Sequence, residues 1–147
     1  MNNMKENYLI NLHSSIITDG ESENIDLTTT GSYYIKDGKY YICYRESEAT
    51  GFDGSMTTVK VWNGGASITR YGKHHSCLMI EKGITNLCNY NTPAGSIVLD
   101  INGVEIESKL DENGGDINLA YTLNSGGLLI SENSITMNIK ELENYES

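Results

Sequence analysis

Glycine-bearing turn signals punctuate this chain at short intervals: Asp37-Gly38, Asn63-Gly64-Gly65, Lys82-Gly83, Asn113-Gly114-Gly115 and Ser125-Gly126-Gly127. The runs between them alternate apolar and polar residues, and almost no stretch carries apolar residues at helical spacing. Such a chain is all-β and built from antiparallel hairpins. The clearest is Tyr33-Tyr34-Ile35-Lys36-Asp37-Gly38-Lys39-Tyr40-Tyr41-Ile42. There Asp37-Gly38 can take the positive φ angles of a type I′ turn, which sets Tyr34 opposite Tyr41 and Ile35 opposite Tyr40.

Ten strands follow, at about 8–18, 24–36, 39–46, 56–62, 66–71, 76–82, 84–91, 96–110, 117–124 and 128–139. Asn102-Gly103 is read as a kink inside one long strand, because a tight turn there would set Asp100 against Glu105. The apolar parity also switches, from Ile97, Leu99 and Ile101 to Val104, Ile106 and Leu110, as one extra residue in a bulge requires. Alternation selects an inner set of Ile25 and Leu27; Thr57, Val59 and Val61; Ile117, Leu119, Tyr121 and Leu123; and Ile135, Met137 and Ile139. With no helix to cover a sheet, about 8–10 such strands close most simply into a single antiparallel up-and-down barrel, a two-sheet sandwich being the alternative. One domain spans 1–147, with frayed tails at about 1–7 and 141–147.

Ten basic and twenty acidic residues give a net charge of −10. That argues against nucleic acid as a partner. Dispersed acids such as Glu21, Glu23, Asp26, Glu46 and Glu105 read as a solvated outer face. No run of about 18–20 apolar residues is present, so a membrane is not expected, and the N-terminal stretch lacks a secretory apolar core. Three cysteines, Cys43, Cys77 and Cys88, then point to reduced thiols in the cytoplasm.

Four residues are candidates for ligand binding: Arg70, Arg45, Tyr41 and Trp62. The two arginines share strand parity with apolar neighbours, Arg45 with Tyr41 and Cys43, and Arg70 with Ile68. Turned inward, a guanidinium would seek a ligand carboxylate or phosphate; the alternative is that both arginines lie at strand ends in water or pair with acidic residues such as Glu46 or Asp100. Tyr33, Tyr34, Tyr40, Tyr41, Tyr44 and Trp62 can line a pocket or pack across strands. A Lys82-Gly83 hairpin would set Cys77 across from Cys88, near His74 and His75. Mid-strand placement favours buried thiols over a metal site or a disulfide. His13 has no partner spaced to make it a base, and there is neither a nucleophile turn nor a phosphate loop. No enzyme, cofactor or metal is therefore expected.

The order of these signals resembles the YwiB-like family of uncharacterised bacterial proteins. The resemblance is carried by the tyrosine-rich hairpin from Tyr33 to Tyr44, Thr57-Thr58-Val59-Lys60-Val61, Arg70-Tyr71-Gly72, Leu78-Met79-Ile80-Glu81-Lys82-Gly83, Tyr90-Asn91-Thr92-Pro93-Ala94-Gly95 and Ile139-Lys140-Glu141-Leu142. The chain departs from the family pattern at Ala94, where an aromatic is common, and in His74-His75 and Cys77/Cys88. The resemblance implies a calycin-like barrel, similar to lipocalins and fatty-acid-binding proteins, and no activity. The resulting expectation is a cytoplasmic barrel binding a small amphipathic or anionic ligand. The alternative is a side-chain-filled interaction module that meets a partner through an exposed apolar patch or, if closure is incomplete, an unpaired edge at 8–18 or 128–139; a second copy could dock on a sheet face.

Overall fold

A computed structural model describes residues 7–47, 54–72, 75–92 and 95–142. Ten antiparallel strands follow in chain order: β1 (Tyr8–Thr18), β2 (Glu21–Lys36), β3 (Lys39–Arg45), β4 (Met56–Trp62), β5 (Gly65–Tyr71), β6 (Ser76–Glu81), β7 (Thr85–Thr92), β8 (Gly95–Asp111), β9 (Gly114–Ser125) and β10 (Leu128–Glu141). They form one sheet in the order β6-β5-β4-β3-β2-β1-β10-β9-β8-β7. The sheet curls into a nearly closed up-and-down barrel, and the described residues contain no helix.

The local logic of the sequence carries through. Asp37 and Gly38 both have positive φ, 52° and 75°. The hairpin they make pairs Tyr34 with Tyr41 and Ile35 with Tyr40. Asp19-Gly20, which the turn signals above do not include, makes the same kind of turn, with φ of 50° and 79°, so β2 starts at Glu21 rather than near residue 24. β8 is continuous through Gly103, and its pairing with β9 slips between Gly103 and Glu105. Val104 is the extra residue and turns outward, while Leu99, Ile101 and Gly103 face in on one side of the slip and Ile106 packs on the core on the other. Apart from Ile25, which is half-buried and lines the cavity at one end, the expected inner set is buried or packed on the core, with Thr57, Val61, Ile117 and Met137 fully enclosed.

Two expectations are corrected. β1 and β10, proposed as the open edges, pair with each other from Tyr8↔Glu141 to Ile17↔Glu132. Leu142 N–H then donates to Asn7 O, extending this pairing by one contact; the rest of the stretches expected as tails, 1–6 and 143–147, lie outside the described residues. The unpaired edges are instead β6 and β7, the two ends of the sheet order. Lys82-Gly83 does turn the chain, with Ile84 N–H donating to Glu81 O, but no ladder grows from it. The turn's backbone is spent elsewhere: Lys82 N–H on Gly64 O, Gly83 N–H on Gly103 O, and Ile84 O on Gly103 N–H. β6 and β7 therefore splay around the bulge of β8.

The ends of the barrel differ. At the end holding the 37–38 turn, Asn7 and Leu142, Ile10 is fully buried. Tyr33 there packs edge-on against Tyr8 at 5.3 Å and stacks on Tyr40 at 6.3 Å. The end holding the 19–20 and 126–127 turns is hollow.

Candidate functional site

The hollow end is a cavity of about 400 Å³, inside the range of small-molecule sites. Leu12, Ile16 and Ile25 wall it on the β1–β2 side, and Leu99, Leu119, Leu123 and Ile135 on the β8–β10 side. Ile130, set apart by the pairing slip between Leu129 and Ser131, also turns into it.

Set into this apolar wall is a polar cluster from β3 to β5. The Glu46 side chain is only 2% exposed and its carboxylate lies 3.6 Å from Arg70 Nη2, itself 16% exposed. Thr57 Oγ1 and the Tyr44 hydroxyl both hydrogen-bond the same carboxylate. Glu46 N–H donates to Ser55 O at 2.8 Å, and Arg70 Nη1 reaches Ser76 Oγ at 3.5 Å. Strand parity explains the cluster: Ile42 and Tyr44 lie on the inner face of β3, and Glu46, one residue past its end, continues the same parity. Register brings Thr57 beside Tyr44 and Arg70 beside Thr57. A carboxylate so surrounded is neutralised and saturated, which is how a buried charge is kept.

Of the four residues singled out from sequence, only Arg70 lines the cavity. Arg45, Tyr41 and Trp62 lie on the outer face, because the inner parity of β3 belongs to Ile42, Tyr44 and Glu46. Tyr41 stacks on Tyr34 at 4.8 Å, and Lys60 Nζ sits over the Tyr41 and Trp62 rings at 5.6 and 5.8 Å. Tyr33 and Tyr40 plug the closed end, leaving Tyr44 as the one member of the six-ring aromatic set in the cavity lining. Glu46, read above both as part of a solvated face and as one possible partner of an arginine, takes the second role; its spacing of two residues from Tyr44 and four from Ile42 keeps it on their face.

His13 does have an acidic neighbour: its Nδ1 lies 2.5 Å from Asp26 Oδ1, across the β1–β2 ladder on the exposed surface. Among the described residues no group of three or more His, Cys, Asp or Glu is arranged to hold a metal ion, and His74 lies outside those residues. The three cysteines are free thiols. No described helix is long and apolar enough to cross a membrane.

Burial, and then the charge of Glu46, push the Tyr44 phenol up from its ordinary value near 10. Burial, followed by Tyr40 and Asp111, does the same for Tyr33, whose hydroxyl donates to Asp111 O at 2.5 Å. In the folded state both stay protonated where the unfolded chain would ionise. Their contribution is complete below about pH 10 and is lost as pH rises above it. Alkaline titration should show these phenolates appearing together with the loss of the β-sheet circular dichroism signal. Ionisation of all ten tyrosines with the fold intact would contradict this.

A model of the family described as a domain of unknown function (DUF1934) matches residues 10–137. The uncharacterized β-barrel protein YwiB of Bacillus subtilis (strain 168) is 34% identical over 125 residues, covering 84% of this chain and 87% of its own. The crystal structure of the YwiB protein from Bacillus subtilis is similar at a TM-score of 0.79 and 27% identity, covering 95% of this chain and 96% of that one.

Proposed function

The chain belongs to the DUF1934 family of YwiB-like β-barrels, and on that premise we propose that it is a non-catalytic carrier or sensor whose barrel takes up one small amphipathic molecule. The observation that carries this reading is the hollow, apolar end with a single buried polar cluster, Tyr44, Glu46 and Arg70, in its wall. An apolar body would lie against Leu99, Leu119 and Ile135, while the head meets the cluster. Because Glu46 already faces Arg70, an anionic head would have to share the guanidinium with a carboxylate. A neutral head that both donates and accepts hydrogen bonds fits better. The same saturation speaks against Glu46 as a general base, since its lone pairs are occupied by Tyr44, Thr57 and Arg70.

The exposed apolar residues Leu128, 74% exposed, and Leu129 and Ile17 cluster at the open end. We read them as the rim that an apolar molecule crosses on its way in. The alternative, an interaction module, would use that same rim. Free thiols at all three cysteines agree with a cytoplasmic setting.

Binding is read with the neutral fluorophore N-phenyl-1-naphthylamine, in competition with dodecanol and with dodecanoate. Saturable fluorescence enhancement is expected, with dodecanol displacing the probe better than dodecanoate. Leu119→Trp, or Ile135→Phe should the first not fold, fills the cavity and should weaken binding by at least about tenfold, or 1.4 kcal/mol. Enhancement untouched by a folded filling variant would place the probe on the rim and favour the interaction module.

A further inference from the structure

The β6–β7 seam is the one neighbouring pair of strands without a backbone ladder among the described residues. It is bridged instead by β7 side chains that donate to β6 carbonyls. Asn86 Nδ2 reaches Met79 O at 3.3 Å and the Cys88 thiol reaches Cys77 O at 3.1 Å. Both contacts keep the alignment that a hairpin through Lys82-Gly83 would have. The sulfur of Cys88 thus points across the seam at the backbone of the only other cysteine on these two strands.

We propose that Cys77 and Cys88 form a redox-active thiol pair that oxidises to a disulfide across this seam, a covalent staple where the barrel lacks its ladder. Cys77 is exposed and its sulfur now accepts from Thr69 Oγ1 at 3.4 Å on the outer face. Thr69 flanks Cys77 on the β5 side and Cys88 faces it from across the seam, so joining the two sulfurs requires the Cys77 side chain to leave Thr69 and turn towards the seam. Cys88 is buried, so the roles divide by access: Cys77 is the attacking thiol and Cys88 the resolving one. Burial also pushes the Cys88 thiol up, which suits a group that reacts second.

Cys43 cannot compete for Cys77. Cys43, Thr58, Thr69 and Cys77 lie in one lateral row across β3, β4, β5 and β6. Three strand spacings separate the two cysteines by about 14 Å, beyond the roughly 4.4–6.8 Å between Cα atoms that a disulfide spans.

With a glutathione disulfide as oxidant the step balances. The Cys77 thiolate attacks one glutathione sulfur and expels the other as a thiolate, leaving Cys77 as a mixed disulfide. The Cys88 thiolate then attacks the Cys77 sulfur and expels the second glutathione. Two cysteine thiols are oxidised, one glutathione disulfide is reduced to two thiols, and the protons leave with them.

The test incubates the full chain with oxidised glutathione and follows intact mass, alkylation of each cysteine, and a peptide map. The expected product is a monomer lighter by about 2 Da, in which Cys77 and Cys88 are joined and Cys43 is still alkylated. Amide exchange in Thr85–Thr92 should slow by about tenfold or more, because the free edge of β7 is tied down. Cys43→Ser should behave as the native chain does, while Cys88→Ser should stop at the mixed disulfide. A native chain that keeps glutathione on Cys77 with Cys88 still a thiol, or that pairs only between molecules, overturns the proposal without need of either variant.

Discussion

Replacing Glu46 by alanine should cost the barrel about 3–5 kcal/mol, enough to lower the melting temperature by about 10–15 °C in a domain of this length. The loss is large because one carboxylate serves several groups. It balances Arg70 and accepts from Thr57 and Tyr44, all inside the wall of the cavity. Without it, a guanidinium and two hydroxyls stay away from water with their main acceptor gone. The contrast that identifies this cause is the double variant Glu46→Leu with Arg70→Leu. Removing both charges replaces an ion pair with apolar packing, so most of the lost stability should return. Thermal unfolding of the single and double variants decides it: a double variant no better than Glu46→Ala would mean that packing, and not charge, dominates at this site. The double variant should also lose its preference for a ligand with a hydrogen-bonding head, while an apolar probe still enters.

Gly103→Ala should destabilise the fold by about 3 kcal/mol, the upper part of the range for overpacking. A Cβ at this position would lie 2.0 Å from Glu81 O and 2.5 Å from its carbonyl carbon. Those atoms are backbone and cannot swing aside. They belong to the turn that crosses the β8 bulge, where Gly103 N–H donates to Ile84 O and Gly83 N–H donates to Gly103 O. Any retreat from the new methyl group therefore breaks the hydrogen bonds that close the barrel at the foot of the β6–β7 seam. Urea unfolding should show the loss, and amide exchange should be fastest along β7, the strand freed by the change. Alanine at Gly38, whose missing Cβ faces open space, is the comparison. Its cost comes from positive φ alone and should be about 1 kcal/mol. Equal losses at both positions would remove the close approach of the backbones from the account.

The predictions separate what is local in this protein from what is not. Strand order, the Asp37-Gly38 hairpin and the bulge beside Gly103 all follow from alternation and turn chemistry, which act over a few residues. The parity of β3 was less plain, because both of its faces carry rings: Tyr41 and Cys43 look as apolar as Ile42 and Tyr44. That ambiguity places Arg45 and Tyr41 in the site and leaves Glu46 open between a solvated face and pairing with an arginine. Only burial on the assembled barrel resolves it, since Glu46 becomes tolerable inside once Arg70, Thr57 and Tyr44 arrive from neighbouring strands.

By itself the sequence determined an all-β chain of about ten antiparallel strands, the inward faces of β4, β9 and β10, and a resemblance to one family. Three things were decided only in the tertiary structure: the place where the barrel stays unladdered, the partner of Arg70, and the hollow at one end. Each depends on how a curved sheet returns upon itself. β1 meets β10 because the two halves of the meander wrap towards each other, and the Lys82-Gly83 turn cannot grow a ladder because β8 has already taken its backbone groups. The cavity exists because the side chains at the 19–20 and 126–127 end do not fill the circumference that ten strands enclose, whereas the tyrosines at the other end do.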